Sequence, residues 1–207
     1  MADDHAHYYE PSHGHGLTHD PFNAIVGPRP IGWISSVSGA GVRNLAPYSF
    51  FNAFNYTPPI VGFSSIGWKD SVENIKQTGE FVWNLATRAL ADPMNASSAT
   101  VESGVDEFEL SGLTPTPSKL VAPARVLESP VNFECRLTQL IQLKGANGDE
   151  LPAWLVLGEV VAVHIDPALI TDGVYDTAGA RPILRAGRMG DYAEIRPDAM
   201  FEMKRPR

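Results

Sequence analysis

The chain has one cysteine, little positive charge and no long apolar run. A single thiol, Cys135, allows no intrachain disulfide and no metal site of paired cysteines. Because Cys135 alternates with Phe133 and Leu137, it is typical of a small buried hydrophobe rather than a reactive thiol. A formal net charge of −8 over 207 residues, with no block of lysine or arginine, argues against nucleic acid as a partner. No run approaches the roughly 20 apolar residues of a membrane span, so we expect no membrane segment. The single cysteine suits a reducing compartment, and we expect a cytoplasmic protein.

Histidine is concentrated at the start of the chain. We interpret residues 1–20 as an arm that precedes one domain over residues 21–207, and the arm holds five of the six histidines: His5, His7, His13, His15 and His19. Histidine-rich tracts can bind metal, but no carboxylate or histidine pair stands at a clear ligand spacing. We therefore predict no metal site. The arm is expected to be either a mobile polar segment or a segment packed on a partner subunit.

Strand patterns dominate the rest of the sequence. The predicted strands are Pro30–Val37, Val42–Phe51, Ile60–Ser65, Glu80–Ala86, Val131–Leu143 and Trp154–Ile165. In the first of them, successive side chains alternate between two faces, with Trp33 on one and Ile34 on the other. The last two are joined by the loop 145–149, whose Asn-Gly pair is typical of a hairpin. Six or more antiparallel strands predict a mainly β fold, a barrel with flanking helices.

A helix is predicted from Lys69 to about Thr78, ended by Gly79. Asp70 or Ser71 is the expected N-cap, and an Asp70 cap would form a capping-box pair with Glu73. Two shorter helices are expected, one starting at Asp92-Pro93 and one over Asp106–Leu110.

The second predicted strand contains Pro47, which cannot donate to a sheet and therefore marks an edge or a bulge. An edge leaves backbone groups available to a flat polar ring. Further along, Lys69 precedes a helix N-terminus, where N–H groups and positive charge favour a phosphate. Flavin mononucleotide (FMN) has both a flat polar ring and a phosphate.

An ordered set of motifs spans roughly residues 22–192: Arg29-Pro30-Ile31, Trp33-Ile34-Ser35, Asn44–Asn52 (NLAPYSFFN), Pro58-Pro59, Lys69-Asp70-Ser71, Glu80–Leu85, Gly158-Glu159-Val160, His164-Ile165-Asp166, and Arg188 with Gly190 and Tyr192. This set resembles the flavin reductase-like, FMN-binding split-barrel family, and NLAPYSFFN is its most specific member. The resemblance implies a six-stranded split barrel of Greek-key character, a homodimer, and FMN near the subunit interface.

The resemblance points to one FMN site made of Trp33, Ser35, Ser36, Asn44, Ala46, Pro47, Tyr48, Ser49, Phe50, Phe51, Ser64, Ser65, Lys69, Asp70 and Ser71. Backbone groups around Ala46, Tyr48 and Ser49 would bind the pyrimidine edge of the ring. The xylene edge would pack on an aromatic side chain from Trp33, Phe50 or Phe51. The phosphate would be bound by Ser64, Ser65, Lys69 and the N–H groups of Asp70, Ser71 and Val72.

These positions also have structural interpretations. Taken singly, the three aromatic residues are typical of a core, Lys69 of a solvated surface charge, and Ser35 and Ser36 of a polar strand face. His164 is a weak catalytic candidate, and its position before Asp166 at the end of a strand favours a structural role. Hydride transfer to flavin N5 needs no general base from the protein, so no catalytic side chain is predicted.

The resemblance implies an FMN-dependent oxidoreductase that uses NADH or NADPH to reduce flavin or another small acceptor, with a partner monooxygenase as a possible recipient of the product. No Gly-x-Gly-x-x-Gly motif follows a strand, so a nicotinamide donor would stack on the flavin rather than use a Rossmann site. Its phosphates would meet the substrate-binding candidates Arg181, Arg185 and Arg188. Two alternatives stay open: an electron carrier reduced by a protein partner, and a non-enzymatic binder of another ligand such as haem. The arm and the insertion Ala89–Thr116 depart from the shortest members and leave the acceptor open.

Overall fold

The computed structural model describes residues 6–206, so His5 of the predicted arm lies outside the described residues. Its strands are β1 (Arg29–Pro30), β2 (Gly32–Val37), β3 (Arg43–Tyr48), β4 (Phe51–Tyr56), β5 (Pro59–Ile66), β6 (Glu80–Asn84), β7 (Pro115–Thr116), β8 (Arg125–Val126), β9 (Val131–Lys144), β10 (Glu150–Ile165), β11 (Ile170–Thr171), β12 (Val174–Tyr175), β13 (Ile183–Arg185) and β14 (Tyr192–Glu194). Its α-helices are α1 (Phe22–Ile25), α2 (Asp70–Thr78), α3 (Ala91–Ala96) and α4 (Glu107–Ser111).

Seven strands form one antiparallel sheet in the order β3-β2-β6-β9-β10-β5-β4. Its two end strands, β3 and β4, are consecutive in the chain and are joined by Ser49 and Phe50. The Ser64 N–H donates to the Phe50 carbonyl at 2.8 Å, which ties this connection to β5. The sheet therefore curls into a barrel that is split at β3, as the sequence predicted. Pro47 lies on an edge strand, which confirms that prediction.

Apolar residues pack on both faces of β2. Ile34 belongs to the cluster inside the barrel, which also takes Val72 and Ile75 from α2. Ile31 and Trp33 belong to a second cluster outside the barrel, formed with residues of α3, α4 and β13: Met94, Phe108 and Ile183. The predicted alternation along this strand is confirmed, and it divides the hydrophobic core into two layers.

The chain turns where one strand was predicted over Val42–Phe51. The strand β3 ends at Tyr48, and β4 continues to Tyr56 in a new direction. Arg29 fixes this bend, because its Nε donates to the Ser49 carbonyl at 3.0 Å and its guanidinium lies 5.4 Å from the Phe50 ring centre. The one-strand prediction was therefore wrong.

The long hairpin β9–β10 and the helices α2 and α4 confirm their predictions, with shifted ends. The strand β10 begins at Glu150, before the predicted Trp154. The Asp106 side chain caps α4 by accepting from the Phe108 N–H at 2.9 Å. Cys135 is fully buried, and this burial raises the pKa of its thiol.

Within residues 6–206, no helix combines the length and apolar character needed to cross a bilayer. In the same part of the chain, histidine, cysteine and acidic side chains form no group of three or more that could hold a metal ion. The described part of the arm is largely exposed, and His7 Nε2 lies 2.7 Å from the His15 carbonyl oxygen.

Candidate functional site

A cavity of about 280 Å³ lies between the edge strand β3 and the start of α2. Seven residues of the predicted FMN site line it: Asn44, Ala46, Pro47, Tyr48, Lys69, Asp70 and Ser71. The opposite wall comes from the segment after α3 and from the first turn of α4, which contribute Ser97, Ser98, Ala99, Thr100, Val101, Ser103 and Glu107. The fold thus brings together two predicted segments and adds a third from the insertion Ala89–Thr116, none of whose residues was predicted for the site.

The strand β3 is paired only on the side of β2 among the described residues. Trp33 of β2 lies opposite Pro47, whose missing N–H fits this edge position. No strand pairs with the other edge of β3, where the Leu45 N–H donates to the Glu107 carboxylate at 3.0 Å. The backbone groups of this edge that have no partner are available to a ligand.

The start of α2 differs from the predicted cap. Lys69, not Asp70 or Ser71, is the N-cap residue, and its side chain makes no capping bond. Its carbonyl accepts from the N–H groups of Val72 and Glu73 at 2.9 and 3.0 Å. The predicted capping box is absent, because the Glu73 carboxylate accepts from Trp68 Nε1 at 2.7 Å instead.

Among the described residues, the N–H groups of Asp70 and Ser71 have no hydrogen-bond partner. Val72 was also predicted to offer its N–H, and its bond to Lys69 corrects that prediction. Unpaired N–H groups in the first turn of a helix attract anions. This end of the cavity therefore favours a negatively charged group.

Asn44 connects the cavity wall to α2 and β2. Its Oδ1 accepts from the Ser71 hydroxyl at 2.9 Å and from the Ser36 hydroxyl at 3.3 Å. Asn74 Nδ2 in turn donates to the Ser36 oxygen at 3.2 Å. Because both hydroxyl protons are engaged, Ser71 would meet a ligand mainly through its N–H, and Ser36 serves the network rather than the cavity.

Tyr48 and Lys69 form the polar corner of the cavity. Lys69 Nζ lies 5.9 Å from the Tyr48 ring centre, and its side chain is in no ion pair among the described residues. The Tyr48 hydroxyl is buried near the Ser71 and Ser65 hydroxyls but forms no hydrogen bond of acceptable geometry in the same part of the chain, and burial raises its pKa against the lowering effect of the two serines. Buried hydroxyls are normally hydrogen-bonded, so this one is a candidate for contact with a ligand.

Two further serines of the predicted site serve the fold. Ser65 is fully buried, and its hydroxyl donates to the Gly67 carbonyl at 2.9 Å. Ser64 lies half-buried in β5, opposite Leu155 of β10. Neither lines the cavity.

The predicted aromatic residues lie elsewhere in the fold. Trp33 is fully buried, with Nε1 donating to the Ser97 hydroxyl at 3.0 Å. Phe51 stacks on Trp83 with ring centres 5.5 Å apart and lines an apolar groove away from the cavity. Ser35 is likewise fully buried. Trp33 and Ser35 therefore lie in the core, where their burial fits the structural interpretation.

The three candidate arginines have different surroundings in the structure. Arg181 pairs with Glu194, and Arg188 pairs with Asp191. Arg185 lies with its guanidinium 4.9 Å from the Tyr192 ring centre and lines a second cavity of about 770 Å³. The sequence analysis missed Arg88, which also lines the second cavity, and Ser98 lines both cavities.

His164 lies in another part of the molecule. Its Nε2 is 2.6 Å from Oε1 of the fully buried Glu134. The same carboxylate accepts from the N–H groups of Lys119 and Leu120 at 2.8 and 2.6 Å. His164 and Glu134 thus hold the loop around residue 119, which supports the structural interpretation of this histidine.

No local pattern in the sequence indicates a role for Glu107. It lies 62 residues from Leu45, whose N–H it accepts at 3.0 Å. The sequence predicted a short helix over Asp106–Leu110 without indicating what that helix faces.

Comparison with known proteins agrees with the split barrel. A protein of Halalkalibacterium halodurans is 34% identical over 187 residues, which cover 86% of each chain. The crystal structure of nitrilotriacetate monooxygenase component B from Bacillus cereus superimposes with a TM-score of 0.81 at 31% identity, over 88% of this chain and 90% of that one. The crystal structure of the 2-nitrobenzoate 2-nitroreductase of Pseudomonas fluorescens superimposes with a TM-score of 0.78 at 27% identity, over 89% of this chain and 88% of that one. The family model described as a flavin reductase like domain matches residues 27–183. The chain therefore belongs to the flavin reductase-like family.

Proposed function

We propose that this protein is an FMN-binding oxidoreductase that uses NADH or NADPH to reduce flavin or another small acceptor. One observation carries the proposal: seven predicted FMN-site residues, from two separate segments of the chain, line a single cavity. The coarser conclusion, membership of a flavin reductase-like family, rests on the family match alone.

The residues of the cavity fit FMN in their chemistry. Lys69 supplies positive charge, and the unpaired N–H groups of Asp70 and Ser71 supply donors for a phosphate. The open edge of β3, from Ala46 to Tyr48, supplies backbone groups for a flat polar ring, with Pro47 offering only its carbonyl. A bound flavin supplies the hydride chemistry, and the protein supplies binding and orientation.

The second cavity suits the electron donor or the acceptor. Arg88 and Arg185 line it, and Ser98 belongs to both cavities. A donor bound there would lie next to the proposed flavin site and would place its phosphates near the two guanidinium groups.

Partners are part of the proposal. We expect a homodimer, and we expect reduced flavin or electrons to pass either to a small acceptor or to a partner monooxygenase. The name of the Bacillus cereus protein, a monooxygenase component, supports the second route, and that of the nitroreductase supports the first.

An absorption spectrum of the purified protein tests the proposal. Flavin maxima near about 375 and 450 nm are expected, and a haem spectrum or no chromophore after FMN addition would contradict it. NADH or NADPH, added without oxygen, should bleach the flavin bands. Bands that bleach only with a reduced protein partner would favour the electron-carrier alternative.

A further inference from the structure

A buried carboxylate, Glu107, forms part of the wall opposite Lys69. It is the first residue of α4 and is only 7% exposed. Its Oε2 accepts from Asn44 Nδ2 at 3.1 Å and from the Leu45 N–H at 3.0 Å. These bonds fix the carboxylate against β3 at the edge of the cavity.

The second oxygen of this carboxylate, Oε1, makes no hydrogen bond within the described part of the chain. Among residues 6–206, no donor bonds to Glu107 Oε1, and no cation pairs with the side chain. Unlike the Tyr48 hydroxyl, Oε1 is open to solvent. Because Glu107 lines the cavity, a ligand bound there can donate to Oε1 in place of water.

The position of Glu107 restricts which part of a ligand it can meet. Asn44 bridges Ser71 and Glu107, so one amide group separates the carboxylate from the anion-binding end of α2. A phosphate beside Glu107 would be repelled, since like charges in a partly buried site disfavour each other. The group next to the phosphate in FMN is the ribityl chain, whose hydroxyls are neutral donors.

We propose that Glu107 accepts a hydrogen bond from the ribityl hydroxyls and so positions FMN with its phosphate at Lys69. This inference rests on the proposed function, and it assigns a binding residue to the insertion that distinguishes this chain from the shortest family members. Asn44 then acts as a positioning residue that orients both Ser71 and Glu107.

Binding of three flavins to Glu107→Gln tests the assignment. The amide oxygen can keep the bonds to Asn44 and Leu45, while an amide nitrogen replaces the unpaired carboxylate oxygen. The dissociation constants of FMN and riboflavin should each rise about tenfold, because a charge-assisted bond is lost. That of lumiflavin, which has the ring without the ribityl chain, should change less than about twofold, because it makes no such bond.

Glu109→Gln is the matched control. Glu109 lies on the same helix, its side chain is 80% exposed, and its Oε1 lies 3.6 Å from Arg43 Nη2. It should change none of the three constants. Equal weakening of lumiflavin by Glu107→Gln, or unchanged riboflavin binding, would overturn the role of Glu107.

The parent chain provides a second test that does not depend on the variant folding. It should bind riboflavin at least about tenfold more tightly than lumiflavin, and equal affinities would overturn the inference. A parent chain that binds none of the three flavins would instead overturn the proposed function itself.

Discussion

Lys69 is the residue on which the proposed phosphate contact depends. Replacement by alanine should weaken FMN binding by about 1.5–3 kcal/mol, the range for a hydrogen bond to a charged group. Riboflavin, which lacks the phosphate, should lose much less. Fluorescence titration of both flavins measures the difference.

Lys76→Ala is the control for this prediction, since Lys76 lies on the same helix with Nζ 5.1 Å from the Trp68 ring centre. It should leave both affinities unchanged. Equal losses of FMN and riboflavin in Lys69→Ala would refute the phosphate assignment.

The Tyr48 hydroxyl gives a second prediction at this scale. Because it is buried without a partner, Tyr48→Phe should keep the unfolding free energy of the ligand-free protein or raise it by up to about 1 kcal/mol. It should weaken FMN more than riboflavin if the hydroxyl donates to the phosphate. Urea unfolding and flavin titration measure the two effects, with the exposed Tyr56→Phe as control. A destabilised variant with unchanged FMN affinity would contradict the prediction.

Single residues show how far sequence reasoning reaches. Lys69 was located by a helix start that local rules can recognise. The N-cap residue was not predicted correctly, because Lys69 occupies that position with an extended backbone and makes no side-chain capping bond. Trp33 and Ser35 were assigned to the ligand by motif membership, but neither lines the cavity, whereas Tyr48 does.

Among the elements, the loop around Lys119 is held by one carboxylate on β9. Glu134→Gln should lower the unfolding free energy at pH 7 by about 1–3 kcal/mol, because the amide cannot accept all three bonds that Glu134 accepts. Urea unfolding across a pH series measures the change. The exposed Glu150→Gln, paired with Lys144 at 3.7 Å, should have little effect.

The pH dependence of this effect has a definite sign. Burial alone would raise the pKa of Glu134, but bonds from Lys119, His164 and Leu120 hold it below its ordinary value. The stabilisation is therefore complete above the unfolded pKa of about 4.3 and is lost as the pH falls through the lower folded pKa. The difference in unfolding free energy between the parent chain and Glu134→Gln should therefore become smaller over that acidic range. If the difference in unfolding free energy stayed constant down to the lowest pH, the charge of Glu134 would not contribute to stability.

Elements with a strong local pattern were predicted well. The hairpin β9–β10 has both long alternation and an Asn-Gly turn, and the helix α2 has a glycine end signal. The break between β3 and β4 has neither, because it depends on Arg29, which reaches Ser49 from 20 residues away. Rules that consider only neighbouring residues cannot predict such a contact.

At the scale of the whole molecule, we predict that an exposed apolar surface on β4 forms a dimer interface. In β4, Phe54 is 54% exposed and Tyr56 is 92% exposed, and an apolar groove of about 580 Å³ that includes Phe51 lies alongside. Large exposed apolar patches mark interaction sites, and symmetric dimers are the commonest oligomers. Sedimentation should give about twice the chain mass of 22.5 kDa.

A charge in β4 should separate the subunits. Phe54→Glu should sediment as a monomer, whereas Leu110→Glu, on α4 at 48% exposure, should stay dimeric. A parent chain that is monomeric and binds FMN tightly would contradict an interface near the site.

The architecture of the site was only half predictable. Its barrel side, β3 and α2, carries motifs that can be recognised one by one. Its other side, from Ser97 to Glu107, has ordinary polar residues whose importance comes only from the wall that they complete.

The two-layered core separates the duties of the chain. The inner layer maintains the barrel, while the outer layer of Trp33, Met94 and Phe108 seats the segment that closes the cavity. Substitutions in the outer layer can therefore reshape access to the cavity while the barrel keeps its frame. A scaffold arranged in this way can change the wall of its cavity through residues that lie outside the barrel cluster.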